Sequence, residues 1–262
     1  MKQDKLKSRE QELRNEYRYG FYTCPIFYKA HLWIHSARIS WITREIATFL
    51  AELCPGKFDI EKVVALSIVH DDTEIIVGDI VGPVKMAFTP EEKAAYEQSC
   101  TDAIDVLYQA YGKDFTTYDY RELLQMEDAG DSLEYAIMKY ADKLEWHLEV
   151  YHELLAGNKP FDDECVKSFW STAYDLSYEY SLTYLKKLLK ALWLEKKDIQ
   201  GHPILDIFTK YSSEDVLWKS KWFHTKESID TLTGFPVYDA RVWLHFKYWN
   251  AEQLAYLYER VE

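Results

Sequence analysis

Apolar residues recur at helical spacing along most of the chain. The segment 31–53 shows this spacing and stops at Pro55 and Gly56, two residues that break helices. Asp59 is a favourable N-cap for a second helix, and the apolar residues of that helix cover nearly its whole circumference up to Val69, which predicts a buried position. Sustained alternation of apolar and polar residues, which a half-buried strand requires, is absent. The pattern therefore predicts an all-α fold.

Capping residues and breakers place the other helices. Thr89 and Glu92 form a capping box with a proline at the first helical position, and Gly112 ends the helix that follows. Asp131 or Ser132 caps the next long helix. Further helices are therefore predicted over 90–111, 132–157 and 161–195, whereas glycines and a proline predict a loop over 74–85.

The chain divides into two parts. Residues 1–195 form the helical body, and residues 196–262 form a helical extension that is rich in aromatic residues. We expect the extension to pack on the body, because exposed tryptophan at that density would promote aggregation.

The charge balance restricts the partners. The 262 residues include 31 Lys and Arg against 44 Asp and Glu, a net charge of −13. This balance argues against nucleic acid or an anionic membrane as a partner, because phosphate backbones need a basic face. A small phosphate-bearing substrate stays compatible with the charge if a local cation offsets it.

The charged N-terminus does not resemble a signal peptide, and no apolar stretch is long enough for a membrane span, so we expect a cytoplasmic protein.

Four residues on predicted helices suggest a metal site. His70 and Asp71 end the most apolar helix, where buried charges are costly unless a partner neutralises them. His35 and Asp142 lie on two other predicted helices. Two imidazoles and two carboxylates form a mixed nitrogen and oxygen ligand set, which suits transition metals better than calcium. We expect one divalent metal ion, drawn from Co, Mn, Fe, Zn, Ni and Mg.

The residues that follow His70 carry a family resemblance. The stretch from His70 to Lys85 reads H-D-D-T-E-I-I-V-G-D-I-V-G-P-V-K and resembles the HD-domain phosphohydrolases, in particular their YfbR-like 5'-deoxynucleotidase branch. The K-x-A-D motif that ends at Asp142, the L-A-G-N at 155–158 and the His35-Ser36 pair match the same branch. The resemblance covers about residues 15–190.

The resemblance implies a fold, an activity and a role for each matching residue. It implies a helical HD-domain bundle that forms a homodimer and hydrolyses (deoxy)nucleoside 5'-monophosphates. One divalent metal would be bound by His35, His70, Asp71 and Asp142, and Glu74 and Asp79 would be catalytic. The substrate would be bound by Arg18, Tyr19, Asp71, Asp79, Ile80, Gly82 and Lys85.

Two other functions stay open at this point. A deoxynucleoside triphosphate hydrolase would need more cations than the Lys and Arg residues near these motifs supply. A non-catalytic HD-type nucleotide-binding or interaction module would not need the complete set of four ligands plus Glu74.

HD proteins with two metals resemble one another in carrying further histidines between positions 71 and 142, and this chain has none there, so we expect a single metal.

Overall fold

The described part of the protein is helical. The computed structural model describes residues 6–18, 26, 30–53, 55–80, 82–155 and scattered positions between 173 and 191. Within these residues, Tyr17 and His31 form an isolated antiparallel β-bridge. The helices are α1 Arg9–Asn15, α2 Leu32–Leu53, α3 Ile60–Val69, α4 Glu74–Val77, α5 Gly82–Met86, α6 Pro90–Tyr111, α7 Tyr120–Ala129 and α8 Leu133–Leu155, with a 3-10 turn at Gly112–Asp114.

This architecture confirms the predicted all-α class. The described positions between 173 and 191 are also helical, in agreement with the helix predicted over 161–195. The predicted extension over 196–262 lies outside the described residues, so its helical character and its packing remain predictions.

Side-chain caps begin the long helices as the sequence predicts. The Asp59 carboxylate accepts hydrogen bonds from two backbone amides of α3. Thr89 and Glu92 each accept a hydrogen bond from the other's backbone amide, which completes the capping box of α6. The Ser132 hydroxyl accepts from the amide of Tyr135 at 3.0 Å, so Ser132 caps α8.

The central element of the core is α3, which packs against α2 and α8. Its apolar circumference explains this position, because a helix that is hydrophobic all round is stable only when neighbours cover every side. The fully buried side chains of the three central helices include Leu32, Ile39, Ile46, Leu50, Val63, Leu66, Val69, Ile137, Met138, Tyr140 and Leu144.

None of the described helices combines the length and apolar character that crossing a bilayer needs.

The predicted loop over 74–85 is wrong in part. Residues Glu74–Val77 and Gly82–Met86 form the short helices α4 and α5. The chain leaves α3 with His70 still in a helical conformation, and successive helical turns lead directly into α4. Gly78 then ends α4 at φ 81°, a conformation that favours glycine. Breaker residues thus mark the ends of short helices here instead of a continuous loop.

A buried ion pair joins the N-terminal helix to the end of α3. Asp72 is fully buried, and its two carboxylate oxygens accept hydrogen bonds from Arg9 Nε at 2.6 Å and Arg9 Nη2 at 2.8 Å. Tyr120 Oη of α7 donates to the same carboxylate at 2.6 Å. Burial raises the pKa of Asp72, and the Arg9 guanidinium opposes that shift. Asp72 is therefore part of a structural network that ties α1, α3 and α7 together.

Replacement of Arg9 by methionine is expected to lower the free energy of unfolding by about 3 kcal/mol, because the Asp72 carboxylate would stay buried without its ionic partner. Urea denaturation measures this loss. Arg14→Met on the same helix is the control, since its ion pair with Glu10 at 2.8 Å is half exposed. The control should change stability by less than about 0.5 kcal/mol. Equal losses for the two variants would contradict the importance of the buried pair.

Candidate active site

Three potential metal-ligating side chains meet where α3 ends. His70 and Asp71 follow the last residue of α3, and α2 places His35 against them. One ligand atom from each of these three residues lies within 4.8 Å of the other two. Both imidazoles are buried, and the Asp71 side chain is 15% exposed, so the cluster is open to solvent on the carboxylate side. The packing of α2 against α3 therefore assembles three of the four predicted ligands.

The hydrogen bonding of His70 leaves one nitrogen available as a ligand. Its Nδ1 lies 2.8 Å from the carbonyl oxygen of Ser67, and a carbonyl can only accept, so Nδ1 carries the proton. Its Nε2 is buried and has no hydrogen-bond partner among the described residues. That nitrogen lies 3.2 Å from Asp71 Oδ1, so in the neutral ring a lone pair faces a carboxylate oxygen. A cation between the two atoms would satisfy both, and the cluster fits a divalent metal in this respect.

His35 presents its Nε2 to the same carboxylate. Its Nδ1 lies 2.8 Å from Glu145 Oε2, whereas its Nε2 lies 3.3 Å from Asp71 Oδ2 and 3.6 Å from Asp142 Oδ1. Burial and Arg18 lower the pKa of His35, but Glu145, Asp142 and Asp71 outweigh them and hold it well above its ordinary value. The acidic surroundings thus favour positive charge at the position that a metal would neutralise.

Asp142 reaches the cluster from α8 through one oxygen. Its Oδ2 forms an ion pair with Lys143 Nζ at 2.8 Å and lies 3.4 Å from Lys139 Nζ. Burial raises the pKa of Asp142, but the two lysines, together with His35 and His70, outweigh it and hold the pKa well below its ordinary value. Asp142 is consequently a carboxylate beside the cluster, with its Oδ1 directed toward His35.

Glu74 lies on α4, one turn beyond Asp71. Its side chain is 13% exposed, and its Oε1 lies 3.9 Å from Lys85 Nζ of α5. Burial raises the pKa of Glu74 well above its ordinary value, and the negative charges of Asp71 and Asp79 add to that effect. A carboxyl group in such surroundings retains its proton more readily than a solvated one, which suits a proton donor.

Two of the predicted substrate-binding residues, Arg18 and Lys85, contact residues of the candidate site. The Arg18 guanidinium contacts the His35 ring and lies 3.7 Å from Glu145 Oε2. Lys85 Nζ lies 5.0 Å from the centre of the Tyr96 ring. Asp79 and Ile80 are half-buried, Gly82 is exposed with open space around its Cα, and Tyr19 lies outside the described residues. The pKa of Asp79 is raised above its ordinary value, and burial is the largest cause.

The sequence analysis missed Glu145 and Lys143. Glu145 lies three residues after Asp142, so both project from one face of α8. That spacing was available as a signal, but its partner His35 is 110 residues away along the chain. Lys143 follows Asp142 directly, and its ion pair with the preceding carboxylate leaves no distinctive pattern in the sequence.

A family profile agrees with this geometry. The sequence profile described as 5'-deoxynucleotidase YfbR-like matches residues 25–180, well over half of the chain. The protein belongs to the YfbR-like family. The match includes the HD motif, Glu74 and the K-x-A-D motif that the sequence analysis singled out.

Individual relatives of this YfbR-like protein are distant. It is 28% identical over 127 residues to a 5'-deoxynucleotidase of Vibrio vulnificus, which covers 48% of this chain and 64% of the relative. It is 29% identical over 130 residues to the 5'-deoxynucleotidase YfbR of Salmonella paratyphi B, covering 48% and 62% respectively. The chain thus spans slightly less than two thirds of the length of these relatives. A solved HD-domain phosphohydrolase of Listeria innocua shares 22% identity at a TM-score of 0.47, with 78% of this chain and 95% of that chain covered.

Proposed function

We propose that this protein is a metal-dependent phosphohydrolase that cleaves (deoxy)nucleoside 5'-monophosphates to a nucleoside and inorganic phosphate. The observation that carries the proposal is the buried Nε2 of His70, which lies 3.2 Å from a carboxylate oxygen of Asp71 and beside His35. The names of the relatives, which are 5'-deoxynucleotidases, support the choice of substrate.

We assign the metal to His35, His70, Asp71 and Asp142. The tight grouping of the first three supports the assignment, and Asp142 Oδ1 lies close enough to His35 to join them. When bound, one divalent ion of the series Co, Mn, Fe, Zn, Ni and Mg would polarise a phosphoryl oxygen and lower the pKa of a nearby water. The mixed ligand set does not distinguish among these ions.

The residues around the cluster supply the remaining functions. Arg18 and Lys85 are cations on its rim, and we assign them to the phosphate oxygens. Asp79 and Ile80 follow α4, and we assign them, with Tyr19 and Gly82, to the sugar and its surroundings. Asp79 can accept a hydrogen bond from a sugar hydroxyl if it is ionised, and donate one if it is protonated.

Glu74 is the proton donor in this proposal. A bond forms between a water oxygen and phosphorus, and the bond between phosphorus and the ester oxygen of the nucleoside breaks. The ester oxygen gains a proton as it leaves, which Glu74 provides, and the carboxylate recovers a proton from the attacking water. When Asp79 is ionised, its negative charge near Glu74 helps that carboxyl to retain its proton.

The charges of the described site favour one phosphate over three. Lys139 and Lys143 are additional cations that the sequence analysis did not place here, but both are paired with Asp142. Arg18 and Lys85 likewise face carboxylates. A triphosphate would bring further negative charge to a site whose described cations already have acidic partners. The monophosphate is therefore the better substrate for these surroundings.

Turnover of nucleotides by the purified full chain tests the function. We expect release of phosphate from deoxynucleoside monophosphates in the presence of Co, Mn, Mg or Zn, with kcat/KM at least about tenfold higher than for the matching triphosphates. The measurement is phosphate release, with chelator-treated protein as the control. Faster hydrolysis of triphosphates would contradict the monophosphate assignment. Nucleotide binding without turnover would favour a non-catalytic module.

We also propose that the enzyme acts in the cytoplasm as a homodimer. The family resemblance supports the dimer. Light scattering coupled to size-exclusion chromatography tests the dimer directly, since a monomer mass would contradict it.

A further inference from the structure

Glu145 contacts a predicted metal ligand without being one of the predicted ligands. It lies on α8, its side chain is 3% exposed, and its Oε2 is 2.8 Å from His35 Nδ1. A buried carboxylate is costly unless its surroundings satisfy it, so its position calls for a physical reason. The hydrogen bond to the imidazole is one such reason.

The bond to Glu145 determines which His35 nitrogen can bind a metal. When Nδ1 donates its proton to Glu145 Oε2, the lone pair of the neutral ring is on Nε2. Nε2 is also the nitrogen that faces Asp71 and Asp142. His70 achieves the same outcome differently, since its Nδ1 donates to the carbonyl of Ser67. The two imidazoles are therefore both oriented with Nε2 toward the cluster.

Arginine residues hold Glu145 in place. Arg38 Nη1 lies 3.3 Å from Glu145 Oε1, and Arg18 Nη1 lies 3.7 Å from Glu145 Oε2. Oε1 therefore faces Arg38, while Oε2 faces the imidazole at the shorter distance and Arg18 at the longer one. The division of the two oxygens restrains rotation of the carboxylate and fixes the acceptor at Nδ1. Burial raises the pKa of Glu145, and His35 and the arginines together hold it below its ordinary value.

We propose that Glu145 is a positioning residue that orients His35 and increases the metal affinity of its Nε2. The inference rests on the proposed metal site and deepens it. A carboxylate acceptor increases the electron-donating ability of the imidazole more than a neutral carbonyl does. Glu145 acts on the metal through His35 and does not touch the substrate.

Glu149 offers a matched control on the same helix. It is buried to the same degree as Glu145, and its carboxylate oxygens lie 3.3 Å from Arg38 Nη1 and 4.0 Å from Arg18 Nε. Both acids thus share the two arginines, whereas the hydrogen bond to His35 belongs to Glu145. A change in Glu149 perturbs the same buried charge network and leaves the imidazole contact in place.

The experiment is calorimetric titration of the metal-free full chain with MnCl2 and with CoCl2. We expect Glu145→Ala to raise the Kd by about 10- to 100-fold. Glu145→Gln keeps an oxygen acceptor without the charge, so its Kd should lie between those of Glu145→Ala and the wild type. Glu149→Gln should bind like the wild type. The visible spectrum of the cobalt-loaded proteins provides a second readout, which should change for Glu145→Ala and stay unchanged for Glu149→Gln.

Two results would overturn the inference. If the wild type binds metal and both Glu145 variants bind it with the same Kd, the positioning role is wrong while the metal site stands. If the wild type binds neither ion, the metal site itself is wrong and the role of Glu145 with it. Thermal unfolding of each variant, monitored by circular dichroism, identifies any variant that does not fold, and Glu145→Gln preserves the test if Glu145→Ala is that variant.

Discussion

Replacement of Asp71 by asparagine is expected to remove both metal binding and phosphohydrolase activity. Asparagine has nearly the same shape, but it lacks the negative charge that faces the Nε2 atoms of His35 and His70. Without that charge, the site offers two neutral imidazoles and the Asp142 oxygen, whose carboxylate is already shared with two lysines. Since a metal supplies several kcal/mol of transition-state stabilisation, we expect activity to fall at least about 1,000-fold.

The measurement combines metal content, determined by elemental analysis, with phosphate release from a deoxynucleoside monophosphate. Asp72→Asn is the matched control, because it is the adjacent buried carboxylate and pairs with Arg9 instead of facing the cluster. We expect this control to lose stability but to retain its metal. Turnover and metal content that remain normal in Asp71→Asn would refute the assigned site.

Replacement of Glu74 by glutamine is expected to separate catalysis from metal binding. Glutamine occupies the same volume on α4 but cannot transfer a proton to the leaving ester oxygen. The expected loss in kcat is about 100- to 10,000-fold, the usual contribution of a positioned acid or base. The metal content should stay at the wild-type level, because Glu74 lies outside the group of three ligating residues.

Glu97→Gln is the control for this variant. Glu97 lies on α6, the helix against which α4 packs, and forms an exposed pair with Lys93 at 3.7 Å. It should leave kcat unchanged. Single-turnover phosphate release measures the chemical step in both variants. An unchanged rate in Glu74→Gln would exclude this carboxyl from proton transfer.

The sequence predicted the helices with long periodic patterns and clear caps. The boundaries of α3 and α6 follow from apolar spacing and from local side-chain caps, and α2 follows from apolar spacing and the breaker residues after it. These are interactions between residues close together in the chain. Helices α1 and α7 were not predicted, because they are short, and α7 carries four acidic or basic residues among its ten. Their contacts with Asp72 through Arg9 and Tyr120 explain how they are held in place.

In the candidate site, too, contacts between residues close in the chain were predictable and contacts between distant residues were not. His70, Asp71 and Glu74 are within one or two helical turns of one another, so their sequence spacing already implied proximity. Asp72 was the exception in this stretch. It directly follows Asp71, but its partner is Arg9, 63 residues earlier in the chain. Adjacent residues on a helix point in different directions, and spacing alone does not reveal what each one faces.

The sequence by itself determined the helical class and the main caps, and it predicted a set of residues that would bind a metal and a phosphate. These depend on local periodicity and on side-chain chemistry, both of which can be read along the chain. Only the tertiary structure decided that Glu145 lies within hydrogen-bond distance of His35, that Lys143 pairs with Asp142 near the cluster and that Asp72 belongs to a structural ion pair. The His35 and Asp72 contacts depend on how α1, α2, α3 and α8 pack, because residues distant in sequence meet only once those helices are in place.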